Sequence, residues 1–316
     1  MYSRREDFFK AMRREQPERI PFYFSLCESL EEEFARKHGS RDYRAHYGVP
    51  FRDVNISPTR HQHDYSGYFA EGRIPDRITE WGLGLKKGSL YHFEQFISPM
   101  QHFDSTDQVW EFPLPDVLES YRWEDIEEQI EKHKAADLVT ISGQDAYIDI
   151  FEPAWYLRGL ENLLMDMLSD DPIAEACLDR ILGVKREMAA RYAALGVDII
   201  IFGDDVGTER AMMMSADLWR KWLKPRLREV ISAAKDVNPN VLCYYHSDGA
   251  IEEIIEDLIE TGVDILNPVQ PECMNPIKLK ERFGGELSFW GTLGTQTTMP
   301  FGTPGDVRRV CTEMIE

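Results

Sequence analysis

The chain has 316 residues, of which 43% are hydrophobic and 29% are charged, and this is enough apolar material for one large α/β barrel or two ordinary domains. Its formal net charge of -20 makes nucleic acids and anionic membranes poor partners, because both attract proteins through lysine and arginine. The five cysteines are irregularly spaced and no apolar run reaches the roughly 18 residues of a membrane span, so we expect a cytoplasmic protein without a disulfide framework.

Short elements are predicted before residue 58. They are a helix from Ser3 to Arg14, a strand from Ile20 to Ser25, a helix from Leu30 to His38 and a strand from Val54 to Ile56. Gly39 favours the end of the second helix, because glycine adopts the left-handed backbone that often closes a helix.

The region 58–133 interrupts this rhythm and is rich in Tyr, His, Gly and Pro. Within it, Thr79 to Lys87 and Tyr91 to Ile97 flank a Gly-Ser pair, which predicts a β-hairpin. We interpret the region as an insertion on one strand-to-helix connection and not as a separate domain.

From Asp137 onward, short apolar runs alternate with long helical patterns. The predicted strands are Leu138 to Ile141, Val197 to Phe202, Val241 to Tyr245, Val263 to Leu266 and Leu287 to Trp290, and the predicted helices cover 153–168, 172–194, 216–235, 249–261, 276–283 and 304 to the end. This alternation is typical of a parallel sheet covered by helices on both faces. An open doubly wound sheet is one solution, but no GxGxxG motif follows the first strand.

The other solution is an α/β fold of the (β/α)₈ TIM-barrel type, which we predict as a single domain over 1–316. Only seven strands are predicted, so we expect the eighth strand of the barrel beyond residue 316.

Polar residues beside glycine or proline follow five consecutive predicted strands. These segments are Gly143-Gln144-Asp145, Gly203-Asp204-Asp205, His246-Ser247-Asp248-Gly249, Asn267 to Cys273 and Gly291 to Gln296. Because active sites of parallel α/β folds lie at the carboxyl ends of the strands, we expect these segments to form a functional rim.

The candidate catalytic residues are Asp204, Asp205, His246 and Asp248. Two adjacent carboxylates raise one another's pKa and suit acid–base chemistry or cation binding, although a helix cap is the structural alternative for either aspartate. A histidine at a strand end can donate a proton, hold a substrate or bind zinc.

Cys273 is a candidate metal ligand, since His246, a carboxylate such as Asp248 and a thiolate would leave zinc one open position. A half-buried free thiol is the alternative. For substrate binding we predict Gln144, Asn267 and Gln270 as orienting groups. Tyr147, Trp155, Tyr244 and Trp290 either form an apolar wall for a methoxy-aromatic or quaternary amine group, or belong to the core.

Several segments together resemble the uroporphyrinogen decarboxylase superfamily. They are Tyr245-His246-Ser247-Asp248-Gly249, Gly262 to Pro271, Phe289-Trp290-Gly291-Thr292, Pro300 to Pro304 and Ile201 to Gly207. The resemblance extends over about residues 137–316 and is looser before them. It implies a (β/α)₈ barrel with one of two activities: cofactor-free decarboxylation of uroporphyrinogen, or zinc-dependent methyl transfer to or from the cobalt of a corrinoid protein.

The resemblance is closer to the methyltransferase branch. Decarboxylases carry an Arg-Gln-Ala-Gly-Arg stretch after the first strand that holds substrate carboxylates, whereas this chain has Ser25-Leu26-Cys27-Glu28-Ser29 there. Methyltransferases resemble one another in a His-x-Cys pattern after the fifth strand, and this chain has His246 with Asp248 in place of the cysteine.

Our first hypothesis is therefore methyl transfer between a small O- or N-methyl compound and a corrinoid (methylcobalamin) on a partner protein, assisted by zinc. The second is a decarboxylase-like enzyme without a metal, and the third is a non-catalytic barrel that binds a ligand. A homodimer is left open by the sequence.

Overall fold

The computed structural model describes residues 3–70, 73–88, 94–143 and 147–316. The helices are α1 Arg4–Met12, α2 Glu28–His38, α3 Tyr43–Tyr47, α4 Thr106–Glu111, α5 Ile126–Ala135, α6 Phe151–Arg158, α7 Leu160–Ser169, α8 Pro172–Leu195, α9 Ala216–Trp222, α10 Lys224–Val237, α11 Ile255–Thr261, α12 Pro276–Phe283, α13 Thr298–Phe301 and α14 Pro304–Ile315. The strands are β1 Phe51–Val54, β2 Arg77–Ile78, β3 Gly84–Lys87, β4 Glu94–Ile97, β5 Val139–Ser142, β6 Ile148–Asp149, β7 Ile199–Gly203, β8 Leu242–His246, β9 Ile265–Asn267 and β10 Ser288–Phe289.

The main sheet has seven parallel strands, with the order β1-β5-β7-β8-β9-β10 and with β6 paired to β7. Every crossover between neighbours in this order carries at least one helix. The central strand β7 is buried along its whole length, as a parallel strand covered on both faces must be. The predicted α/β architecture is confirmed.

Side chains of the main sheet alternate between two cores. One set of alternate side chains faces an inner cluster, which includes Phe51, Ile141, Ile201 and Tyr244. Their neighbours along each strand point the other way, towards the outer helices. The rings of Phe51 in β1 and Trp290 just after β10 lie 4.4 Å apart, although these strands stand at opposite ends of the strand order. The sheet therefore curls into a barrel-like shape, while its described strands do not form a closed hydrogen-bonded ring.

Two of the early strand predictions were wrong. Residues 20–25 form no strand, and Pro21 in this segment has no N–H to donate to a neighbour. The Tyr23 ring instead packs 5.3 Å from Trp290 and 5.9 Å from Phe51, between the two edges of the sheet. The strand predicted at 54–56 instead runs from Phe51 to Val54. These two terminal residues are buried, and the polar residues Arg52 and Asp53 between them are half-buried.

The predicted hairpin insertion is confirmed as a small antiparallel sheet. Strand β3 pairs with β4 from Gly84 opposite Ile97 to Lys87 opposite Glu94, and β2 adds a third strand. The tip of the hairpin, 89–93, lies outside the described residues.

Two predicted long helices are each interrupted. The helix predicted at 153–168 divides into α6 and α7 at Gly159, whose φ of 92° lies outside the helical region. The helix predicted at 216–235 divides into α9 and α10 at Leu223, and Pro225 lies in the first turn of α10. In the described part of the chain, no helix is both long and apolar enough to cross a bilayer.

Candidate metal centre at the carboxyl ends of the strands

The loops after β7 and β8 leave the sheet side by side. Gly203 stands opposite His246 in the register of the two strands, so Asp205 and Asp248 emerge from adjacent positions. The Asp204 amide donates to the His246 carbonyl at 3.2 Å, and the Ala250 amide donates to the Thr208 carbonyl at 2.8 Å. These backbone bonds fix the two loops to one another.

Glycines permit this close approach. A Cβ atom at Gly207 would lie 2.5 Å from the Asp248 carbonyl oxygen. At Gly249, where φ is +85°, a Cβ atom would lie 2.6 Å from the Thr208 carbonyl oxygen. A larger residue at either position would push the loops apart.

Asp205, His246 and Asp248 converge at this point. Each offers one ligand atom, and these atoms lie within 4.8 Å of one another. The His246 Nε2 and Asp205 Oδ1 atoms are 3.7 Å apart, and the same Oδ1 accepts a 2.8 Å hydrogen bond from the Asp248 amide. Imidazole nitrogen and carboxylate oxygen are both established zinc ligands, so this triad is a candidate metal centre.

The other ring nitrogen of His246 has a protein partner. His246 Nδ1 lies 2.7 Å from Asn267 Oδ1, and the Asn267 amide nitrogen donates to the Trp290 carbonyl at 2.9 Å. The His246 side chain is 27% exposed, and with Nδ1 occupied its Nε2 atom lies on the side of Asp205.

A further carboxyl group, that of Glu152, lies beside the triad. Partial desolvation and the Asp205 carboxylate raise the pKa of Asp248, against the opposing effect of His246. Burial also raises the pKa of Glu152, whose Oε2 accepts from the Asp205 amide at 3.3 Å. A cation placed among these groups would stabilise their charged forms.

Asp204 faces away from its neighbour Asp205. Its buried carboxylate accepts from the Ile150 amide at 3.0 Å and the Glu152 amide at 2.8 Å, at the beginning of α6. Burial, with the charges of Asp149 and Glu152, raises the pKa of Asp204 well above that of an ordinary aspartate. The structure therefore places the predicted catalytic pair in two different environments, one capping a helix and one on the rim.

The triad contains Asp205 and not Cys273, which the sequence had suggested as the third ligand. The half-buried Cys273 thiol lies 3.5 Å from Gln270 Oε1, and desolvation with the nearby Glu272 charge raises its pKa. Gln270 is also committed to the protein, since it accepts from the Gly249 amide at 2.7 Å. The predicted substrate residue Gln144 lies outside the described residues.

Aromatic rings lie beneath the triad. The Tyr147 ring is 6.2 Å from the His246 ring, and Tyr244, one layer below His246 in β8, is 5.3 Å from Trp290. Trp155 packs elsewhere, against Phe96 of the hairpin insertion. Tyr147, Tyr244 and Trp290 belong to the inner apolar cluster of the barrel, which ends beneath His246 as an aromatic floor, whereas Trp155 lies outside it.

Sequence reasoning missed Glu152 and the pair formed by Arg44 and Asp53. Arg44 Nη1 lies 2.6 Å from Asp53 Oδ2, with its guanidinium 5.7 Å from the Tyr23 ring. Asp53 could have been found from its place near the carboxyl end of β1, had that strand been assigned correctly. Glu152 carried no signal, because the strand β6 before it has only two residues.

The family model described as uroporphyrinogen decarboxylase (URO-D) matches residues 150–316, which include the whole triad. The fold is similar to that of a methyltransferase from Methanosarcina mazei, with a TM-score of 0.67 and 14% sequence identity over 100% of this chain and 90% of that one. No curated protein sequence matches the chain.

Proposed function

Because the chain belongs to the uroporphyrinogen decarboxylase family, we propose that it is a zinc-dependent enzyme that transfers a methyl group between a small O- or N-methyl compound and the cobalt of a corrinoid-binding partner protein. The observation that carries this proposal is the convergence of Asp205, His246 and Asp248 at the carboxyl ends of β7 and β8. The fold likeness to a methyltransferase supports it.

The chemistry of the donor set fits zinc. One imidazole and two carboxylates give three ligands and leave room for a fourth, as in catalytic zinc sites. Zinc bound there would supply Lewis acidity to the oxygen or nitrogen from which the methyl group departs.

The protein's own residues would orient and shield the reacting groups. Asn267 fixes the ring of His246, and the Asp248 amide holds the Asp205 carboxylate. The floor of Tyr147, Tyr244 and Trp290 would pack against the methyl donor and exclude water from it.

The charges of the rim support methyl transfer over decarboxylation. Arg44, which lies beside this mouth, is already paired with Asp53 at 2.6 Å. A substrate with several carboxylates would face the carboxyl groups of Asp205, Asp248 and Glu152, and Arg44 could neutralise it only by leaving Asp53.

Methyl transfer to free cob(I)alamin tests the proposal with the full chain. Supplied with zinc and a panel of methoxyarenes and methylated amines, the protein is expected to form methylcobalamin, which is followed by its visible spectrum. His246→Ala and Asp248→Ala should abolish this activity, whereas His61→Ala, an exposed histidine of the insertion, should retain it. Activity that survives both site variants, or carbon dioxide release from a porphyrinogen by metal-free protein, would overturn the proposal.

A further inference from the structure

Both the oxygen and the nitrogen of the Asn267 side-chain amide form hydrogen bonds within the protein. It lies at the end of β9, directly opposite His246 in the register with β8, and is only 9% exposed. One end lies 2.7 Å from His246 Nδ1 and the other 2.9 Å from the Trp290 carbonyl oxygen.

These two contacts determine where the proton of His246 lies. A carbonyl oxygen can only accept, so the NH₂ group of Asn267 must face Trp290 and its oxygen must face His246. The amide oxygen also can only accept, so Nδ1 must carry a hydrogen. In a neutral imidazole the lone pair then belongs to Nε2, the atom that lies 3.7 Å from Asp205.

The surrounding backbone holds the amide in place. The Ser247 amide donates to the Asn267 carbonyl at 2.9 Å, on the side of β8. On the other side, Gly291 has a φ of +82°, and a Cβ atom there would lie 3.0 Å from the Asn267 amide nitrogen. The Val269 amide donates to the Gly291 carbonyl at 2.7 Å and so joins the loops that follow β9 and β10.

We propose that Asn267 is a positioning residue that keeps His246 in the Nδ1–H tautomer and reserves Nε2 for a ligand on the rim. This replaces the substrate-orienting role predicted for Asn267 from the sequence. The tautomer itself does not depend on the proposed function, whereas the effect on zinc affinity rests on it. Partners of this kind typically change metal affinity by about 10–100-fold.

Nitrogen-15 NMR of the metal-free full chain tests the tautomer directly. Histidine-labelled protein would be studied with a chelator at about pH 8.5, where an ordinary imidazole is neutral, and the His246 signals would be assigned by their loss in His246→Gln. The proposal predicts a protonated Nδ1 and an unprotonated Nε2. A predominant Nε2–H tautomer would overturn it, whether or not the protein binds zinc.

Variants of Asn267 test its role as the cause. Asn267→Ala is expected to populate both tautomers and to lower zinc affinity about 10–100-fold in competition with a chromophoric chelator. Asn267→Asp keeps an oxygen opposite Nδ1 and should preserve the tautomer, whereas its second oxygen faces the Trp290 carbonyl and should lower stability. The control is Asn162→Ala, since Asn162 also donates to backbone carbonyls but lies far from the site. The proposal fails if Asn267→Ala leaves the tautomer unchanged, or if Asn267→Asp populates the Nε2–H tautomer as much as Asn267→Ala does.

Discussion

A Cβ atom added at Gly207 would lie 2.5 Å from the carbonyl oxygen of Asp248, so the loops that carry Asp205 and Asp248 touch backbone to backbone. The spacing of the two carboxylates depends on this contact. The absence of a side chain at Gly207 is therefore as necessary for the candidate site as the ligand residues themselves.

Gly207→Ala is expected to separate the two loops. Overpacking at such a contact typically costs about 1–3 kcal/mol, and zinc affinity should fall with it because Asp205 and Asp248 move apart. Chemical denaturation and chelator competition measure the two effects. Gly183→Ala is the matched control: a Cβ atom at Gly183, within α8, has nothing within 4 Å, so alanine should stabilise the helix by about 0.5–1 kcal/mol. Unchanged affinity in Gly207→Ala would show that the loop contact does not set the site.

The adjacent aspartates should respond differently to substitution. Asp205→Asn is expected to lose bound zinc, since a neutral amide is a much weaker ligand than a carboxylate. Asp204→Asn should keep the zinc, because an amide oxygen can still accept from the Ile150 and Glu152 amides. Asp204→Ala should lower stability by about 1–2 kcal/mol through loss of the helix cap. Metal analysis and thermal unfolding separate these effects, and equal loss of zinc from both asparagine variants would contradict the assignment.

Cys273→Ser should leave the zinc stoichiometry unchanged. The thiol lies 3.5 Å from Gln270 and outside the triad, so serine replaces it without removing a ligand. Asp248→Ala, made in parallel, should lose the metal. A zinc site that disappears in Cys273→Ser would restore the ligand set first suggested by the sequence.

The stability of the fold should depend on pH through Asp198. Burial alone would raise its pKa, but Arg5 and the Thr140 amide lower the pKa of Asp198 below that of an ordinary aspartate. A carboxylate whose pKa is depressed by folding stabilises the protein above its unfolded pKa of about 3.9, and this contribution is lost as the pH falls through the lower folded value.

Asp198→Asn should therefore lower the free energy of unfolding at pH 7 by about 3 kcal/mol, because it leaves the largely buried Arg5 without its partner. The difference from wild type should shrink below about pH 4. Urea unfolding across this range measures it, with Asp170→Asn as the control, since Asp170 pairs with Lys221 on the exposed surface. A difference that does not change with pH would contradict this account.

The sequence predicted the strands and helices of the second half well because their signals are strong. The apolar run before Gly203 and the helix Pro276–Phe283 are where periodicity placed them. The segment 20–25 has the apolar residues of a strand, but its partners are the rings of Phe51 and Trp290 and not a backbone ladder. No local pattern distinguishes these two situations.

The candidate site could be predicted in part. His246 and Asp248, which the structure brings together, were singled out because they follow an apolar strand next to glycine. Spacing could not show that Asp205, and not Cys273, lies beside them, since this depends on the parallel register that places Gly203 opposite His246. The roles of Asn267 and Gln270 likewise follow from hydrogen bonds between loops that are distant in sequence.

The most direct test of the central claim is metal analysis of the purified full chain after exposure to zinc and removal of the excess. The account predicts about one zinc ion per chain in the wild type and in Cys273→Ser, and none in His246→Ala. A wild-type protein that retains no metal, or a His246→Ala variant that retains as much zinc as the wild type, would contradict it.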